Sequence, residues 1–124
     1  MFRYTIQVHR GRFSPVGAAQ FGLECGQPLM VVPACGDLRS EESRLRVEPS
    51  TVQVSAFKPS DDGKALIVRL FGASNQSRSA RIEWGALQPR AVFLSDTSEK
   101  PGVAAGQSIV VPSRGLVTVR AELP

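Results

Sequence analysis

The stretch Val54–Ser74, VSAFKPSDDGKALIVRLFGAS, decides the fold of this chain. Two apolar strand patterns, Val52–Phe57 and Ala65–Phe71, flank the loop Pro59-Ser60-Asp61-Asp62-Gly63. Proline presets φ, aspartate ties the turn through its side chain, and glycine takes a positive φ without a steric cost. The stretch therefore predicts a β-hairpin. Downstream, Ala80, Ile82 and Trp84 alternate with Arg81 and Glu83, as a half-buried strand requires. Ala91–Leu94 follows Pro89. Ser108–Val111 and Leu116–Ala121 close the chain, the pair joined by Pro112-Ser113-Arg114-Gly115. Upstream, Leu45–Val47 is split from the hairpin by Glu48-Pro49-Ser50, and Leu29–Val32 ends at Pro33. Phe2, Tyr4, Ile6 and Val8 alternate with Arg3, Thr5 and Gln7, which predicts one more strand, Phe2–Val8. Ser14-Pro15 is an N-cap followed by proline at the first helical position, so a short helix is expected near residues 15–24. Gly36–Arg44 is polar and reads as an exposed loop. Short strands separated by Pro and Gly predict an all-β fold, an antiparallel β-sandwich.

A chain of 124 residues fits one domain, 1–124, with enough apolar content (42%) for a two-layer core. No apolar run approaches the roughly 20 residues of a membrane span, and no secretory signal opens the chain. A soluble, cytoplasmic location without a membrane partner is the expectation. The net charge is +4, and twelve of the fifteen basic residues are Arg. They scatter from Arg3 to Arg120 without a dense run or an aromatic-rich strand beside them. That pattern reads as a solvated surface rather than a nucleic-acid footprint. Cys25 and Cys35 match no zinc or redox spacing. They read as two partly buried thiols, with a single disulfide as the alternative.

Catalytic chemistry finds few carriers. His9 is the sole histidine and stands in a basic turn with no carboxylate beside it to orient it, so it reads as a surface residue. Asp61 and Asp62 are adjacent turn formers that point into water. They are not a pair held across a substrate. Ser95-Asp96-Thr97-Ser98-Glu99 is polar but lacks the ligand spacing of a calcium loop. Trp84 suits stacking on a sugar ring, yet its alternation with Ala80 and Ile82 favours core packing. Lys58 and Arg69 border the hairpin, where each suits a structural ion pair or an interface contact.

Several segments resemble glycoside hydrolase family 38, the α-mannosidases. Phe57–Ser74 is similar to the family stretch K-x-x-(E/D)-D-G-x-x-x-(I/V)-x-R-L-(Y/F), through Lys58, Asp62, Gly63, Arg69, Leu70 and Phe71. FRYTIQVHRGRF, Phe2–Phe13, resembles a family segment through Phe2, Tyr4, Ile6, His9, Gly11 and Phe13, though Val8 replaces a proline. Gln27-Pro28-Leu29, Val92–Gly102 and Gly115–Leu123 follow in the family's order. The resemblance implies the C-terminal β-sandwich portion of a larger enzyme. The zinc, its ligands and the nucleophile of such an enzyme lie in a separate catalytic domain.

A retaining glycosidase also needs two carboxyl groups about 5 Å apart, which this sequence does not offer. The resemblance thus implies a non-catalytic domain with no cofactor of its own. It would pack against a zinc-dependent retaining catalytic domain and border the carbohydrate cleft. Lys58, Arg69, Trp84 and His9 are the candidate interface or carbohydrate contacts. The alternative is a stand-alone carbohydrate-binding module.

Overall fold

The computed structural model describes residues 4–27, 30–31, 33 and 43–124. Its order is one helix, α1 (Pro15–Gly26), then β1 (Arg46–Glu48), β2 (Val52–Pro59), β3 (Ala65–Gly72), β4 (Arg78–Glu83), β5 (Ala91–Ser95), β6 (Ile109–Val111) and β7 (Leu116–Glu122). The strands form two antiparallel sheets, ordered β1-β4-β6 and β2-β3-β7-β5. The chain is an all-β sandwich with one short helix.

The core lies between the sheets. Val52, Val68, Leu70 and Val119 from the four-stranded sheet meet Ala80, Ile109 and Val111 from the other. Each apolar side chain of this size removed from water contributes about 1.5–3 kcal/mol. Strand β3 is the centre of the larger sheet, and its pleat sends Val68 and Leu70 inward. Ala65 and Ile67 point to the opposite face, yet both are buried. A strand covered on both faces reads as a near-continuous apolar run, and ALIVRLFG is one.

The β2–β3 hairpin forms with the expected loop, and Gly63 takes φ +69°. The register slips between Val54 and Ala56, a bulge in which the Ser55 hydroxyl donates to the Arg69 carbonyl. A bulge, Lys58 and Pro59 together blunt this edge strand against pairing with another chain. The helix starts as the sequence predicts: Ser14 Oγ accepts from the Gly17 amide at 3.2 Å. It runs to Gly26, past the predicted end.

Three expectations change. Of the expected strand Phe2–Val8, Phe2 and Arg3 fall outside the described residues and Tyr4–Val8 form no strand; Tyr4, Ile6 and Val8 are 85–92% exposed. Their alternation is real, but no sheet edge among the described residues lies beside them. Met30 and Val31 are likewise exposed and outside any strand; Leu29 and Val32 fall outside the described residues. The segment Pro112–Gly115 joins the last two strands, as the sequence places it. It carries the chain from β6 in one sheet to β7 in the other, docking on Gly72 through Gly72 N–Gly115 O (3.0 Å) and Arg114 N–Gly72 O (2.8 Å). Cys25 is exposed in the last turn of α1 rather than partly buried. Cys35, and most of the Gly36–Arg44 loop, lie outside the described residues. Among those described, no helix is long and apolar enough to cross a membrane.

Candidate functional site: an ionic clamp behind the hairpin

One row of side chains crosses the outer face of the four-stranded sheet. The register places Lys58, Ile67, Arg120 and Phe93 side by side on β2, β3, β7 and β5. Arg120 is 4% exposed, an unusual burial for a guanidinium. A charge there must be paired and hydrogen-bonded.

Three segments supply the partners. The hairpin turn gives Asp62, whose Oδ2 lies 2.8 Å from Arg120 Nη2. Asp62 Oδ1 meanwhile accepts from Ser60 Oγ at 2.6 Å and from the Lys64 amide at 3.0 Å. The loop after β5 gives Glu99, whose carbonyl accepts from Arg120 Nη1 at 2.8 Å. Glu99 sits at φ +59°, a region few non-glycine residues adopt, and its side chain turns back into the cluster. There Oε2 accepts from the Asp61 amide at 2.9 Å, and Oε1 pairs with Lys58 Nζ. Lys58 also reaches Asp61 Oδ1 at 3.0 Å. The result is a closed circuit joining β2, the hairpin turn, the loop after β5 and β7.

The charges respond accordingly. The Ser60 hydroxyl first, then the Arg120 guanidinium and the Lys64 amide, hold the Asp62 carboxyl well below the usual carboxylate range. Glu99, then Asp61, raise the Lys58 ammonium above its ordinary value. Folding therefore makes Asp62 harder to protonate. Its stabilisation is complete above the ordinary value of 3.8 and drains away as pH falls from there toward the lower folded value. Asp62→Asn is expected to flatten the acid limb of a stability profile taken from about pH 5 down to pH 2. Urea midpoints across that range measure it. Parallel acid limbs in the two proteins would show that Asp62 does not drive the loss.

The cluster is not arranged for catalysis. Each of its carboxylates is engaged with a cation or a backbone amide, and Asp62, which accepts from the Ser60 hydroxyl, is also held by the Lys64 amide and the Arg120 guanidinium. The cavity beside it, about 210 Å³, is lined by these same committed groups together with Ser98, Lys100 and Pro101. Among the buried side-chain atoms of this cluster, Arg120 Nε lacks a hydrogen bond, with Glu122 Oε1 3.8 Å away. Among the described residues no three His, Cys, Asp or Glu side chains converge on a metal-sized space. They do not fit zinc, and no step passes through it here.

The four residues singled out in the sequence do not form one site. Lys58 belongs to the clamp. Arg69 lies one row along the same face, half-buried between Ala56 and Thr118, and makes no ion pair among the described residues. Trp84 stands just after β4 in the other sheet, packed in part against the core. His9 is exposed and lines an open hollow of about 550 Å³ between the N-terminal segment and α1.

The reading of Asp61 and Asp62 as turn carboxylates pointing into water is corrected for Asp62, which anchors Arg120. Ser95–Glu99, polar throughout in sequence, is not wholly solvent-facing, since Glu99 is buried. Arg120 and Glu99 were not legible as site residues. In Leu116–Glu122 the arginine alternates with Val119 and Ala121, as a solvent-facing residue would. The loop that covers it comes from 21 positions away.

Comparison with known proteins follows the fold. The model of the glycosyl hydrolases family 38 C-terminal beta sandwich domain matches residues 51–121, from the start of β2 into β7. The clamp residues Lys58, Asp61, Asp62, Glu99 and Arg120 all fall inside that span. No curated protein matches the chain. Among solved structures, the apo exo-carrageenase GH42 from Bacteroides ovatus is similar at a TM-score of 0.44 and 10% identity, over 65% of this chain and 11% of that one. A likeness that distant says nothing about function.

Proposed function

The chain belongs to the family of the glycosyl hydrolases family 38 C-terminal β-sandwich domain, and from that premise we propose that it is a non-catalytic accessory domain of an α-mannosidase. It packs against a zinc-dependent catalytic domain and borders that domain's carbohydrate cleft. The single observation that carries the packing role is the uncovered apolar surface at the N-terminal end. Tyr4, Ile6, Val8 and Phe13 are 70–92% exposed, and α1 buries no residue. Large apolar side chains grouped on one segment mark a surface meant to be covered. The strand-like alternation of Tyr4, Ile6 and Val8 suits addition to a sheet edge of the catalytic domain. The ionic clamp supports the same reading, because it spends its charges on rigidity.

Amide hydrogen exchange on the full chain tests this, with and without a separately produced family 38 catalytic domain. Slowed exchange across Tyr4–Phe13 in the mixture is expected, and Ile6→Asp should abolish it without changing the melting of the sandwich. Equal exchange in both samples would remove the packing role.

A further inference from the structure

The hairpin turn contains the reactants of a covalent rearrangement. Asp62 is followed by Gly63, and none of the other three aspartates, nor the single asparagine, precedes a glycine. Glycine has no Cβ to shield its amide nitrogen, and its backbone turns freely. In an open chain such a nitrogen attacks the Cγ of the preceding aspartic acid. A C–N bond forms, and one carboxyl oxygen leaves as water, taking the amide proton and the carboxyl proton with it. A second water then opens the five-membered succinimide. Attack at Cγ restores aspartate. Attack at the main-chain carbonyl gives isoaspartate, with the chain now running through Cβ and Cγ. Water is the only co-reactant.

The folded turn blocks both halves of that reaction. One carboxyl oxygen has to depart, and neither is free to go. Oδ1 accepts from Ser60 Oγ at 2.6 Å and from the Lys64 amide at 3.0 Å, and Oδ2 accepts from Arg120 Nη2 at 2.8 Å. The departing group must be protonated, yet Ser60, Arg120 and Lys64 hold the carboxyl ionised. The nucleophile is engaged as well, since the Gly63 amide donates to the Ser60 carbonyl at 2.9 Å. Ser60 and Lys64 are neighbours within the turn. Arg120 is 58 positions away and reaches Asp62 from β7, which lies beside β3 in the sheet. The long-range part of the restraint therefore exists only while the clamp is closed. The Asp62 side chain is 47% exposed, so water is at hand for the second step.

We propose that Asp62–Gly63 is a latent site of succinimide and isoaspartate formation, kept unreactive by Arg120 and released when the clamp opens. Isoaspartate lengthens the main chain of the turn by one atom and draws the carboxylate one methylene back, onto its own Cα. Arg120, 4% exposed, then faces a turn that no longer fits it, and an unpaired buried guanidinium is costly. An opening that reacts thus leaves the clamp unable to close as before, and the turn keeps a chemical record of it. The site uses no part of the Tyr4–Phe13 segment and does not depend on a catalytic domain.

The test keeps the folded full chain at neutral pH and body temperature for several weeks, beside the same chain unfolded in guanidinium chloride. Isoaspartate at position 62 is counted by electron-transfer fragmentation of the peptide that carries it. The unfolded chain should convert at least about tenfold faster than the folded one, because local opening limits the folded rate. Arg120→Met should raise the folded rate about fivefold or more, since it removes the long-range partner alone. Arg120→Lys keeps the charge without the planar fork and should fall between the two; it decides the matter if the methionine variant does not fold. Ile109→Val weakens the core from the other sheet and leaves every clamp contact in place, so it should change the rate less than about twofold. An unfolded chain that forms no isoaspartate overturns the site. Equal rates in the folded and unfolded chains overturn the restraint, and so do Arg120 variants that convert no faster than Ile109→Val.

Discussion

Arg120→Ala is expected to destabilise the chain by about 3 kcal/mol, within the range found when one partner of a buried ion pair is removed. The substitution deletes two short charge-assisted hydrogen bonds, to the Glu99 carbonyl and to Asp62. It also removes the guanidinium stem that lies beside Ile67, which is 1% exposed on the same face. Arg120→Met separates those losses. Methionine keeps most of the volume and none of the charge, and Asp62 is exposed enough to recover water. The methionine variant should therefore lose only about half as much, roughly 1–2 kcal/mol. Combining Arg120→Met with Asp62→Asn should cost much less than the sum of the two, because they share one interaction. Urea unfolding of the parent, the three single variants and the double variant decides this. If Arg120→Ala falls within about 0.5 kcal/mol of the parent, the range of ordinary surface changes, the clamp has no role in stability.

The clamp also gives a physical meaning to the motif that carries the family resemblance. In Lys58-Pro59-Ser60-Asp61-Asp62-Gly63 the residues look like turn formers, and they are. Gly63 supplies the positive φ, and Asp62 closes the turn through Ser60 and Lys64. The second oxygen of Asp62 and the ammonium of Lys58 reach further, to β7 and to the loop after β5. A local pattern thus fixes a non-local contact, and only the local half is visible in sequence.

The same division explains what else could be read. The hairpin, the starts of β2 and β3, and the Ser14 cap depend on neighbours within a few residues, and each sits where the sequence puts it. Which strand lies beside which does not. Tyr4, Ile6 and Val8 alternate as strongly as Ala80, Ile82 and Trp84, but only the second set has a sheet around it. Pro112-Ser113-Arg114-Gly115 is turn chemistry whether it joins two neighbours or crosses between sheets. The choice is made by Gly72, 40 positions upstream of Pro112, which offers the crossing a place to dock. Glu99 was hidden for a related reason: a polar residue in a Ser-Asp-Thr-Ser-Glu run gives no sign that Lys58 and Arg120 will surround it.

Gly72→Ala tests that docking directly and is expected to be strongly destabilising. A Cβ built on Gly72 would lie 2.2 Å from the Pro112 carbonyl oxygen and 3.3 Å from its carbon. The obstacle is backbone, not the tip of a flexible side chain, so it cannot rotate away. It is also held in place. The Pro112 carbonyl accepts from the Gly115 amide at 3.1 Å, Ser113 Oγ donates to the Ser74 carbonyl at 3.1 Å, and the neighbouring Val111 is fully buried. Making room means pulling the β6–β7 crossing off β3, with the loss of both Gly72–crossing hydrogen bonds and displacement of Val111 from the core. Overpacking alone costs about 1–3 kcal/mol, and each broken buried hydrogen bond about 1 kcal/mol more. A total of roughly 3–5 kcal/mol is expected, enough to remove much of the stability of a domain this size. Gly63→Ala is the control. Nothing lies within 4 Å of that Cβ, and the positive φ is the sole penalty, about 1–2 kcal/mol. Thermal melts of the two variants should separate clearly, with amide exchange in the Gly72 variant accelerated first at Arg114 and Gly115. If Gly72→Ala melts no lower than Gly63→Ala, the crossing is not seated on β3 as described.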